Sequence, residues 1–157
     1  MIFNNTTPFI ALSVINRLDL LPAIFERIHV VPHVLAECQS GGVIAVPNLR
    51  TLPWVVVVNV DESVDPNPLL TPLDIGEKWT LYAAAEAHAS RVLIDERIAR
   101  NVAERMGLTV TGTLGVLLKA KQLGLIRSFS ESAAEMRAAG IFYNTDLIRR
   151  LAISIGE

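Results

Sequence analysis

A single cysteine, Cys38, is all the chain offers for sulfur chemistry. One thiol cannot form a disulfide within the chain, and no cysteine-rich zinc site can be built from it. Basic excess is also missing: 14 lysines and arginines against 16 aspartates and glutamates leave a formal charge of −2. That balance excludes binding to nucleic acid by bulk charge, so any RNA contact must be local. No long hydrophobic run exists. The longest, Trp54–Val58, falls far short of the roughly 18 residues a membrane span requires, and no basic region followed by an apolar stretch opens the chain. These absences read as a soluble, cytoplasmic protein with no membrane association. Charge itself is sparse, at 19% of residues against 51% hydrophobic. An average soluble domain carries roughly 25% charged residues, so some apolar surface is expected to lie in an interface, in a homo-oligomer or with a tight partner.

What is present fits one domain spanning residues 1–157. A globule of that length removes roughly 68–70% of its unfolded surface from water, enough for one core. Short β-branched runs alternate with longer helical patterns, the order of a parallel sheet covered by helices. The strands are predicted at Met1–Asn4, Arg27–Val31, Trp54–Val60, Arg91–Ile94 and Leu108–Val110, with the run of four valines in the third buried on both faces. Thr7-Pro8 and Pro32 mark helix starts. Thr145 to Ile155 reads as a packed terminal helix with Leu147, Ile148, Leu151, Ala152 and Ile155 on one stripe. Between residues 60 and 74, Pro66, Pro68 and Pro72 predict a long ordered loop, a connection rather than a lid.

Four residues recur at one topological place, just past a strand or at the start of the next helix: Asn5, Glu37, Glu77 and Asp95. In a parallel sheet with right-handed crossovers such positions converge on the edge where the strands end. Oxygen ligands in a crevice suit Mg²⁺ or Mn²⁺, and Mg²⁺ uses one or two carboxylates together with waters and substrate phosphate. Such an ion activates water for phosphodiester hydrolysis, with no histidine, cysteine or serine nucleophile required. Each acid also has a plainer reading. Asp74 and Glu77 have capping-box spacing, Asp95 can cap the helix after it, Glu37 can be a solvated helical position, and Glu96 with Arg100 can form an exposed i, i+4 pair. Arg91, Arg97, Arg100 and Arg105 can approach a phosphate backbone or simply form a solvated face. Trp79 and Tyr82 have helical spacing and read as core, and His29, His33 and His88 lack metal-ligand spacing. Gly112-Thr113-Leu114-Gly115 has the form of a phosphate-cradling turn without the lysine of a P-loop, and by default is a tight turn.

Four stretches, IFNNTTPFIAL, VVPHVLAEC, LDIGEKWTLYAAAEA and RVLIDERIARNVAERMGLTVTGTLGVLLKAKQLGLI, together make the sequence resemble a PIN domain of the prokaryotic branch related to VapC-type toxins. The resemblance implies a three-layer α/β/α sandwich with a mostly parallel sheet and a quartet of acids binding Mg²⁺ or Mn²⁺. It implies a ribonuclease, the toxin half of a toxin–antitoxin pair, whose partners are RNA and a small antitoxin protein. Glu37, Glu77 and Asp95 fall on three of the family's acids, with Glu96 one position from the last and Thr113 on a small hydroxyl position. At the first motif the family has aspartate where this chain has Asn5, so a quartet of charge −4 becomes −3 and holds a divalent cation less well. The alternative that follows is a catalytically inactive PIN module that binds RNA or protein.

Overall fold

A computed structural model describes residues 1–157 as a five-stranded, all-parallel sheet flanked by eight α-helices. The strands are β1 (Ile2–Asn4), β2 (Ile28–Val30), β3 (Val55–Val57), β4 (Arg91–Leu93) and β5 (Val110–Thr111). The helices are α1 (Thr6–Val14), α2 (Leu20–Phe25), α3 (Pro32–Gln39), α4 (Ile75–Glu86), α5 (Arg97–Arg105), α6 (Thr113–Gln122), α7 (Phe129–Ala138) and α8 (Thr145–Ser154). Their order in the sheet is β3-β2-β1-β4-β5, so the chain first works outward from β1 and then returns across it. Phe3 of β1 stands opposite both His29 of β2 and Val92 of β4, which puts β1 at the centre. The parallel sheet covered by helices is the one expected from the alternation of apolar runs, and the three-layer sandwich is the one the resemblance implies.

Burial follows from this order. The core of 34 buried apolar residues takes Phe3, Phe9, Leu12, Leu81, Leu93, Val116 and Phe129 from both helical layers and the sheet between them. The valine run behaves differently from its expectation. Only Val55–Val57 pair, and all are half-buried, because β3 is the outermost strand and has a neighbour on one side only. The fifth strand is displaced by two residues, to Val110–Thr111, although Val92 N–H already donates to the Thr109 carbonyl at 2.8 Å.

Trp79 is core, as its spacing suggested, with Tyr82 meeting it edge-on at 5.3 Å between ring centroids. The proline-rich stretch is an ordered connection. A short 3₁₀ turn at Pro68–Leu70 buries Leu70, and His33 Nε2 meets the Glu62 carboxylate at 3.1 Å, tying the loop to α3. His29 Nδ1 pairs with the Ile2 carbonyl at 3.1 Å, and His88 is exposed.

The last helix is less packed than its stripe implies. Ala152 alone is buried in α8, while Leu147 is 38% and Ile153 69% exposed. Ile148, Leu151 and Ile155 still pack against the core, and polar contacts add to this hold. The Glu157 carboxylate accepts the Ser128 hydroxyl at 2.7 Å and the Phe129 and Ser130 amides at 2.7 and 3.0 Å, filling the amino end of α7. These donors hold the Glu157 carboxyl down at about 2, against an ordinary 4.5. A depressed acid adds stability above its unfolded value and loses it as the pH falls through the folded one. Glu157→Gln should therefore melt at a lower temperature than wild type at pH 7, with the difference fading between pH 4.5 and about 2. Thermal denaturation across that range checks it, and a gap independent of pH would argue against the capping role.

Candidate active site at the carboxyl edge of the sheet

Because α4 precedes β4 and runs back over the sheet, its amino end lies at the same edge where β1, β2 and β4 finish. Asn5 sits there as the residue that starts α1, in place of the predicted Thr7. Asparagine is among the best helix-capping residues, its side-chain oxygen accepting an amide from the second or third helical position. Here the third position is Pro8, which has no amide hydrogen, and the Asn5 side chain makes no capping bond at all. Its Oδ1 is left without a partner in a residue only 3% exposed. Asn4 and Thr80, on the mutually packed β1 and α4, likewise carry unpartnered side-chain groups and are wholly buried.

One residue on, the Thr6 hydroxyl donates to the Glu37 carboxylate, fixing α3 to the start of α1. That carboxylate occupies the space a β-carbon would need at position 76, so a larger residue there would require it to move. Next to Gly76 the capping box predicted from spacing is formed: Glu77 N–H donates to Asp74 Oδ1 at 2.8 Å, and Asp74 N–H donates to Glu77 Oε2 at 3.2 Å. Glu77 is more than a cap. It is 7% exposed, and its carboxyl lies above the ordinary range, first because burial disfavours the charge and then because Asp74, Glu96 and Glu37 crowd it with like charge. Glu96 thus takes part in this acidic group. The predicted Glu96–Arg100 pair is not made. Arg100 instead donates to the Ile94 carbonyl at 3.1 Å, because β4 delivers that carbonyl directly beside α5.

Asp95 does not cap the helix that follows it, as its position suggested. Its Oδ1 accepts the Thr113 amide at 2.7 Å, and its Oδ2 accepts the Thr113 hydroxyl at 2.7 Å and the Tyr143 hydroxyl at 2.8 Å. A carboxylate has about four lone-pair positions, so three donors leave little spare. The Gly112–Gly115 turn is accordingly filled by the chain's own carboxylate, and the phosphate-cradling reading is set aside. At Gly112 a β-carbon would stand 2.7 Å from Arg100 Nη1 and 2.9 Å from Asp95 Oδ1, so a larger residue there would displace one of them. Sequence reasoning missed Tyr143. It lies 48 residues from Asp95 in an irregular segment with no motif, and burial together with the facing Asp95 charge pushes its phenol well above the usual range.

The structure therefore joins Thr6, Glu37, Gly76, Glu77 and Glu96 into one group and gives Asp95 to a second, with Thr113 and Tyr143. No three acidic, histidine or cysteine side chains are arranged to hold an ion unaided. A family model described as a PIN domain matches residues 1–157, the whole chain. The chain belongs to the PIN-domain family. This is a nuclease-type fold suited to binding nucleic acid, and PIN domains generally use divalent metal ions. No curated protein and no solved structure matches this PIN domain. No helix in it is long and apolar enough to cross a membrane.

The donor chemistry of the group fits a hard cation. Every available atom is oxygen, the Asn5 Oδ1 is buried and unpartnered, and Glu77 has like charges around it that a cation would relieve. The fit is to a hydrated ion held by one or two carboxylates, not to a cage. In chelator the crowding should show as a cost to stability. A carboxyl raised on folding is bound to its proton more tightly in the folded state, so its destabilisation appears as the pH rises through the window above 4.5. Glu77→Gln keeps an oxygen for the Asp74 amide. It is expected to melt above wild type at pH 7 and together with it at pH 4, as followed by circular dichroism; a lower melting point at pH 7 would refute the crowding.

Proposed function

We propose that this protein hydrolyses phosphodiester bonds of RNA with a single weakly held Mg²⁺ or Mn²⁺. The observation that carries the reading is Glu77, an acid kept almost out of water at the amino end of α4 and surrounded by three further carboxylates. An acid raised by burial together with neighbouring like charge is a candidate for a functional role. A bound ion there would supply Lewis-acid activation of water and of the phosphate. Glu37 and Glu77 are the residues to hold it, the first steadied by the Thr6 hydroxyl and the second by the α4 cap. Asn5, at the same edge of the sheet, offers a free carbonyl oxygen without charge. Asp95, aligned by Thr113 and Tyr143, orders the other wall, and Glu96 stands as a further acid near Glu77.

A toxin role in a toxin–antitoxin pair, with a small antitoxin protein as partner and action in the cytoplasm, belongs to the same proposal. So does self-association, which the exposed Phe142 and Ile153 on the α8 side support.

The second reading is an inactive PIN module that binds RNA or protein. It is favoured by the neutral Asn5 and by the lack of a preformed three-acid site.

Purified protein with single-stranded RNA and Mn²⁺ is expected to give cleavage that chelator abolishes. Glu77→Gln and Asp95→Asn should each slow it by on the order of 10²-fold, the scale of losing a group that binds or orients a catalytic ion. Asn5→Asp should lower the Mn²⁺ concentration needed for half-maximal rate. Equal rates in wild type and Glu77→Gln would remove the metal site from this group. Inert wild type with cleavage gained in Asn5→Asp would establish the second reading.

A further inference from the structure

Beside Asp95, between α5, the start of α6 and α8, lies a concavity of about 660 Å³ whose other lining residues the reading above does not use. Its volume is in the range of small-molecule pockets. Its construction has two parts. The floor is apolar, made by Leu114 and Leu118 of α6 and by Leu147 and Leu151 of α8. It exists because α8 packs incompletely: Leu147 remains 38% exposed and Leu151 half-buried although both belong to the helix's apolar stripe. The rim is polar: Arg97, Arg100, Asn101 and Glu104 come from α5, and Asp95, its carboxylate already held by Thr113 and Tyr143, stands beside them.

The two arginines are free to act. No carboxylate lies within ion-pair distance of either, although Asp95, Glu96 and Glu104 are close in sequence. Arg100 uses one donor on the Ile94 carbonyl and keeps its remaining guanidinium hydrogens, with Nη1 next to Gly112. Arg97 is exposed, and Asn101 presents an amide with no partner in the chain. A guanidinium suits phosphate oxygens, and a side-chain amide suits the edge of a base, which needs a donor and an acceptor side by side.

We propose that this concavity is a nucleotide subsite for single-stranded RNA. One base lies on the leucine floor with its edge toward Asn101, and the phosphate beside it meets Arg97 and Arg100. The two unpaired guanidinium groups and the apolar floor both match a nucleotide, whereas an apolar protein segment would leave the arginines without a partner. The site shares Asp95 with the proposed reaction centre, so an RNA strand seated here runs directly on to the acidic group. Local placement of the cations also explains how a chain of net charge −2 engages a polyanion.

This rests on RNA being the substrate, but its test reads binding alone. The full chain in chelator is titrated with a fluorescent single-stranded RNA pentamer, and anisotropy is followed at several salt concentrations. Arg97→Ala should weaken binding roughly threefold to fivefold, the size of one exposed charge contact. It should also lower the slope of log affinity against log salt by about 0.7. Leu147→Gln, at an exposed position, should weaken binding roughly tenfold, as expected when one buried planar group loses its apolar contact, and leave the slope unchanged. Arg105→Ala, on the same helix but outside the concavity, should match wild type. A nucleoside monophosphate should displace the RNA at lower concentration than inorganic phosphate.

No binding by wild type, or equal losses in Arg97→Ala and Arg105→Ala, would overturn the subsite. Equal competition by phosphate and nucleoside monophosphate, or no effect of Leu147→Gln, would overturn the base on the leucine floor. If binding behaves as stated while Mn²⁺ produces no cleavage, the hydrolytic reading fails and the subsite stands. If wild type cleaves while binding is indifferent to Arg97 and Leu147, the subsite fails and the hydrolytic reading stands.

Discussion

Everything at the edge of this sheet depends on β1 being central. A parallel sheet can be extended only by crossovers that return the chain to its starting end. Once the chain has laid β2 and β3 on one flank, it has to cross back to place β4 on the other. Helix α4 makes that return, and so it begins at the edge where β1 and β2 finish. Residues 6, 37 and 77 are thereby brought together although they are distant in sequence. The same reversal leaves β3 as an outer strand with half-buried valines and puts Asp95 on the second flank, beside β5 and α6.

The architecture and the position of each acid were legible because both rest on local pattern. Apolar runs marked strands, prolines marked starts, and the acids lie where strand gives way to helix. Less legible was what each acid touches. Asp95 looked like a cap for α5, yet its partners come from α6 and from Tyr143, contacts that depend on where α8 folds back and not on spacing. Glu96 looked like half of an ion pair until the carbonyl of Ile94 claimed Arg100. Asn5 could be recognised as a substitution in a motif, but not its unpartnered oxygen, to which the proline three residues later contributes by removing one of the two amides it could accept. The looseness of α8 was hidden for a related reason. A stripe tells which side of a helix is apolar and says nothing of how closely the neighbouring layer approaches.

The site also holds groups that folding alone would not select. A buried carboxyl among like charges, an unpartnered amide oxygen and a wholly buried Asn4 each oppose stability. They are carried by a core of 34 apolar residues that reaches both helical layers, and by ties such as Thr6 to Glu37 that prevent the acids from moving apart. Regions that retain such groups are commonly those where a fold exchanges stability for activity.

Gly76 and Gly112 have a common origin. Side-chain ends of other segments stand in the volume a larger residue would need, the Glu37 carboxylate at the first and Arg100 Nη1 with Asp95 Oδ1 at the second. These glycines are casts of the acids, visible in the sequence at a distance from them. Among related chains the two kinds of position should vary jointly: where a methyl group appears at 76, the residue at 37 should be shorter or turned away. A pair of such linked changes would trace the outline of the site through sequence drift even where the acids themselves have been replaced.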